Sequence, residues 1–141
     1  MFTRILVGYD GSNGGKAALR CAALLAKQSN AQTTALWVRE PLPRYTDLPG
    51  EPESEAEAAD EYFQQRQKEV ADIAAQHGIK VVCETRSGHP AKTIVTVAKE
   101  GDFDLIVVGH SDHSELWGRL LGDTADRISD QAHCSVLIVK N

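Results

Sequence analysis

"RILVGYDGSNGGKAALRCAALLAKQSN", residues 4–30, changes its hydrophobic period partway, and that change decides the fold. Residues 4–10 are a short, almost wholly apolar run closed by Gly8 and Asp10, the pattern of a strand buried on both faces. From Asn13 to Asn30 the period becomes helical: Ala18, Cys21, Ala22, Leu25 and Ala26 share one face. Ser12 stands where an N-cap belongs. A strand feeding a helix through a glycine-rich turn is the first half of a βαβ unit.

The rest of the chain repeats that unit. "QTTALWVR" (32–39) predicts a second strand. "EPLPRYTDLPGEPE" (40–53) then holds four of the five prolines and predicts a loop. Ser54 and Glu57 have the spacing of a capping box for a second helix. Tyr62, Phe63, Val70, Ile73 and Ala74 form its expected buried stripe, and Gly78 its stop. "KVVCETRS" (80–87) is a third strand. Pro90 opens a third helix, with Ala91, Ile94, Val95 and Ala98 inward. "DLIVVG" (104–109) is a fourth strand, and Leu121, Ala125, Ile128 and Ala132 mark the last helix. "CSVLIVK" (134–140) is a fifth strand. Apolar strands alternating with amphipathic helices call for an α/β fold, a doubly wound parallel sheet with helices on both faces. Ligands on such sheets bind beyond the strand C-terminal ends, where the strand order reverses. Strands one and four are the expected neighbours there.

The 141 residues suit one domain, spanning 1–141. Apolar content of 42% and charged content of 25% are those of an ordinary globular chain. A net charge of −5 argues against a general nucleic-acid binder. No apolar run approaches the roughly 20 residues of a membrane span, and the N-terminus reads as a strand rather than a signal peptide. Cys21, Cys83 and Cys134 are scattered and odd in number, so buried free thiols in a reducing cytoplasm are expected rather than a disulfide framework.

"DGSNGGKA" (10–17) is not a P-loop, because Asp10 and Ala17 occupy the positions that need Gly and Ser or Thr. Asp10, at a strand end, has two open readings: contact with a ribose or a metal-bridged phosphate, or a cap on its own turn. A receiver domain would want a phospho-acceptor Asp after the third strand, which ends "ETRSGHP" without one. His110, Asp112, His113 and His89 allow an unspecific zinc hypothesis, against which solvated loop histidines are the plainer reading. Ser114, His113 and Asp112 are adjacent, whereas hydrolase triads assemble from distant positions. No catalytic residue is assigned, and an ATPase would need a base and a positioned water that the sequence does not identify. Trp117 reads as a loop anchor or subunit contact.

"VGHSDHSELWGRLLGDTADR" (108–127) follows the fourth strand and leads into the last helix, where backbone amides of a Gly-rich turn bind anions. Together with "ILVGYDGS", "GHPAKTIVTVAKEGDFDLIVVG" and "AHCSVLIVK", it resembles the universal stress protein family over nearly the whole chain. The resemblance implies strand order 3-2-1-4-5, an adenine nucleotide alpha hydrolase-like fold and a role in stress adaptation. It places Asp10 near the ribose or adenine, counts Gly11 and Ser12 in the same nucleotide site, and lets Val38 offer backbone groups to the adenine. Val108, Gly109, Gly122 and Thr124 belong to the phosphate side. Nucleotide-binding members carry a second glycine where Asp112 stands, and Ser or Thr where Asp123 stands.

A carboxylate about 5 Å from a phosphate repels it by roughly 1–3 kcal/mol at an intermediate dielectric. Asp123 at a helix N-terminus would also cap that helix and occupy the anion site. Alternatively, Mg²⁺ bridges Asp112 or Asp123 to phosphate oxygens, and His110, His113, Arg119 and Lys92 offset charge if they point inward. The expected ligand is thus ATP or AMP with Mg²⁺, bound in a weakened crevice, with no redox cofactor. The alternative is a dimeric protein-interaction module that does not bind ATP. A homodimer paired through the last strand, Cys134 to Lys140, is implied as well, with protein partners and no nucleic acid or membrane.

Overall fold

The computed structural model describes residues 1–40, 52–110 and 119–140, and of residues 52–56 and 119–123 the backbone alone. The order is β1 (Arg4–Gly8), α1 (Asn13–Ser29), β2 (Gln32–Arg39), α2 (Pro52–His77), β3 (Val81–Ser87), α3 (Pro90–Glu100), β4 (Leu105–Gly109), α4 (Arg119–Gln131) and β5 (Ser135–Val139). The strands form one parallel sheet in the order β3-β2-β1-β4-β5. Central β1 pairs with β2 from Arg4↔Gln32 to Gly8↔Leu36, and with β4 from Ile5↔Leu105 to Val7↔Val107.

The continuous apolar runs are explained by two cores, one on each face. Ile5, Val7 and Tyr9 pack with Ala18, Leu19 and Ala22 of α1 and Val70 and Ile73 of α2. Leu6, Leu36, Ile106 and Val108 pack with Ala91, Ile94 and Ala98 of α3 and Ala125 and Ile128 of α4. A side chain of this kind stabilises the fold by about 1.5–3 kcal/mol when fully buried.

The helix ends follow from local chemistry. Ser12 caps α1, its Oγ accepting from the Gly15 N–H at 3.1 Å. Asn30 closes that helix in the left-handed conformation, φ 53°. Gly78 ends α2 at φ 69°, and Pro90 fills the first turn of α3. At the opposite end of the sheet from the strand C-termini, Asp104 accepts from the Thr3 N–H at 2.8 Å, the Thr3 hydroxyl at 2.9 Å and the Arg4 N–H at 3.0 Å. Among the described residues no helix is long and apolar enough to cross a membrane.

Four details correct the sequence reading. Helix α2 begins at Pro52, so Ser54 lies inside it and the Ser54–Glu57 capping box does not stand at its start. Tyr62 is 39% exposed rather than part of the buried stripe. The three cysteines are free but half-buried rather than buried. Helix α4 begins at Arg119, so Gly122 and Asp123 lie beyond its first turn and Asp123 is not its N-cap. The stretch 41–51, with Asp112, His113, Ser114 and Trp117, lies outside the described residues.

Candidate functional site

Strands β1 and β4 both end on glycine, and the chain leaves them in opposite directions across the sheet. A crevice of about 950 Å³ opens there, over the α3–α4 face. Seven of the ten residues nominated from the sequence line it: Asp10, Gly11, Ser12, Val38, Val108, Gly109 and Thr124. Asp112 lies outside the described residues, and Gly122 and Asp123 are described only as backbone of α4.

The β1–α1 turn is held by its own polar groups. One oxygen of Asp10, Oδ1, accepts from the Ser12 N–H at 2.9 Å and from the Ser12 hydroxyl at 2.5 Å. Asp10 therefore caps its own turn. Gly11 takes φ 84°, a left-handed conformation that a Cβ would strain. Across the crevice floor the backbones of the two loops nearly touch. A Cβ on Gly109 would fall within the Gly14 peptide, and one on Gly14 would lie 2.9 Å from the His110 carbonyl oxygen.

Val38 owes its position to strand lengths. Strand β1 stops opposite Leu36, while β2 runs on to Arg39, paired only with β3. The Leu36 carbonyl accepts from the Tyr9 N–H at 2.9 Å, on the β1 side. The Arg39 carbonyl accepts from the Gly88 N–H at 3.0 Å, on the β3 side. By the alternation of a strand, Val38 turns its N–H and C=O toward β1, past the point where β1 ends. Leu36, Ala91, Ile94 and Val108 supply an apolar wall beside those backbone groups.

The charged lining is mixed. Asp10, Glu40, Arg127, His89 and His110 are all among its lining residues. Arg127 is a lining residue that sequence reasoning missed; its place one helical turn after Thr124 was the available signal. Lys92 is exposed and does not line the crevice. Among the described residues no group of three His, Cys, Asp or Glu side chains would hold a metal ion. Burial pushes the Cys83 thiol up, and burial with the Asp104 charge does the same to Cys134, so neither is an activated nucleophile.

Sequence reasoning also missed the other side of the β1–α1 turn, where α2 packs. The Tyr9 hydroxyl donates to Glu69 at 2.7 Å, and Arg66 pairs with the same carboxylate at 2.9 Å. Burial would raise Glu69, but the hydrogen bonds from Tyr9 and Arg66 outweigh it and hold the carboxyl below its ordinary value. Burial and the Glu69 carboxylate push the Tyr9 hydroxyl well above its ordinary value.

A doubly wound parallel sheet with an apolar-walled crevice over its switch point places the chain among the α/β proteins whose fold offers a ligand crevice there. The sequence profile of the universal stress protein family matches residues 1–140, and the chain belongs to that family. It is 34% identical to the universal stress protein MJ0531 of Methanocaldococcus jannaschii, covering 99% of this chain and 83% of that one. It is 34% identical to the universal stress protein YxiE of Bacillus subtilis, covering 99% of this chain and 100% of the relative. Among solved structures, a universal stress protein in complex with cAMP superposes with a TM-score of 0.74 at 27% identity, covering 98% and 97% of the two chains.

Proposed function

We propose that this protein is a regulatory, adenine-nucleotide-binding universal stress protein, with the crevice between the β1 and β4 loops as its site. The observation that carries the reading is the convergence on one crevice of Asp10, the turned-out Val38 backbone and the close-packed glycines Gly14 and Gly109. An apolar slot beside the Val38 N–H and C=O, which no described strand pairs on the β1 side, suits a flat heterocycle with donor and acceptor edges. The Asp10 carboxylate suits a ribose hydroxyl. Arg127, His89 and His110 suit a phosphate. The neighbour that holds cAMP supports an adenosine monophosphate unit as the common denominator.

Asp112 and Asp123 weaken the phosphate end of this site, or recruit Mg²⁺ to it. The reading extends to a homodimer paired through β5, whose residues Val136 to Val139 are only half-buried at the sheet edge. It extends also to a cytoplasmic location, which suits three unpaired thiols.

Calorimetric titration with ATP and AMP, each with and without Mg²⁺, tests the reading. Micromolar binding, reduced by Asp10→Asn, is expected. Mg²⁺-dependent ATP binding assigns the metal to the aspartates, while binding gained only in an Asp112→Gly/Asp123→Ser double variant means they repel phosphate. No binding by either protein overturns the nucleotide reading and leaves a protein-interaction module.

A further inference from the structure

Beyond Tyr9 the β1–α1 turn leaves the strand ladder, and its described hydrogen bonds run mostly within the turn, between Asp10 and Ser12. Its shape nevertheless depends on Gly11 holding a left-handed φ of 84°. The element that backs it is α2. A Cβ on Gly11 would lie 2.8 Å from Nη1 and 2.9 Å from Cζ and Nε of Arg66, so the guanidinium is pressed against the glycine. That guanidinium is clamped from two other sides. Glu69 pairs with it at 2.9 Å, and the Tyr62 ring lies 4.1 Å from its Cζ. The Tyr62 hydroxyl in turn donates to the Asp10 carbonyl at 3.2 Å. Trp37, beside Val38 on β2, packs on Tyr62 with ring centroids 4.8 Å apart.

The arrangement has a cost. Arg66 Nε is buried without a hydrogen-bond partner among the described residues. A buried donor left unpaired costs about 1–3 kcal/mol. The side chain bears this cost where it braces Gly11, and it lies outside the crevice itself.

We propose that Arg66 is a positioning residue. From behind Gly11 it fixes the turn that presents the Asp10 carboxylate to the ligand, with Tyr62 as its second point of contact. The ligand half of this inference rests on the nucleotide reading above. The face of the turn that meets a ligand and the face that meets α2 belong to the same three residues. Ligand binding and docking of the Tyr62–Glu69 segment of α2 are therefore linked, each favouring the other.

The test is a double-mutant cycle of Arg66→Ala and Asp10→Asn, read by ATP titration and by amide exchange of the nucleotide-free protein. Arg66→Ala is expected to weaken ATP binding about tenfold, the scale of one hydrogen bond to a charged group. In the Asp10→Asn background the same change is expected to cost almost nothing, because Arg66 acts through Asp10. A purely structural role would give additive losses, and that result overturns the inference. Arg66→Lys, which keeps the charge but not the flat guanidinium, is expected to fall between and serves if the alanine variant does not fold.

Amide exchange decides independently of nucleotide. The Ser12 N–H, bonded to Asp10, is expected to exchange several-fold faster in the Arg66 variants, while Ile106 in the central sheet is unchanged. If the native protein binds no nucleotide, the functional reading fails and Ser12 exchange alone judges the brace. Unchanged Ser12 protection overturns it in either case.

Discussion

At the residue scale, the crevice is defined as much by atoms that are missing as by side chains. Gly109 has no room for a Cβ, because the Gly14 peptide already occupies that volume. Ala at 109 must therefore push the β4 loop and the start of α1 apart. The expected result of Gly109→Ala is a loss of about 1–3 kcal/mol of stability, as for overpacking elsewhere. It should also lose the proposed nucleotide binding, because the displaced backbone lines the crevice. Chemical denaturation and calorimetry on the same sample check both. A variant that binds normally would show that this contact does not shape the site. Gly109 was legible in the sequence as a strand-ending glycine. Arg66 was not, because an arginine in a polar-rich helix reads as solvated until α2 is seen lying over Gly11.

At the element scale, the strands and helices were legible where burial is two-sided or strongly periodic. "RILVG" and "LIVVG" bury on both faces of the sheet, and their shortness and closing glycines mark them as strands. The start of α2 was misjudged because a Ser-x-x-Glu pair competes with Pro52, which suits the first turn of a helix equally well. Tyr62 was misplaced because helical periodicity assigns a face but does not say where the neighbouring element ends. Past the end of β1, that face meets Trp37 and Arg66 instead of core.

The join between β1 and β4 gives a prediction of its own. Burial would raise the Asp104 carboxyl, but the donors from Thr3 and Arg4 prevail and hold it below the ordinary carboxylate value. A group lowered in the folded state stabilises it above the unfolded pKa, near 4 for Asp. That stabilisation is lost as pH falls through the lowered folded value. Asp104→Asn is expected to be less stable than the native chain by about 1–2 kcal/mol at neutral pH, modest because the carboxylate is partly exposed. The gap should close below about pH 4, so thermal melts of both proteins across pH 2–7 should converge at the acid end. Parallel curves would remove the carboxylate from the account.

At the scale of the whole molecule, the two sheet edges are unequal. The β3 edge carries Glu84, Thr85, Arg86 and Ser87 along its second half, and charges of this kind discourage strand addition. The β5 edge is "SVLIV", apolar and half-buried from Val136 to Val139, which leaves a template for pairing. A second copy related by a two-fold axis would satisfy it with the same residues on each side. The backbone says which residue to change. The Val139 carbonyl accepts from the His110 N–H at 2.7 Å, so Val139 faces β4 and its neighbour Ile138 turns its N–H to the free edge. Proline is tolerated in a strand where the N–H it removes faces outward. Ile138→Pro is therefore expected to leave the sheet folded while removing a donor from the proposed dimer contact. Sedimentation should show the native chain as a dimer and the variant as a single chain, with far-ultraviolet dichroism unchanged. A native protein that sediments as one chain, or a folded variant that still dimerises, would move the interface away from β5. Because β5 pairs directly with β4, whose last residue floors the crevice, the same experiment run with nucleotide asks whether pairing at the edge is felt at the site.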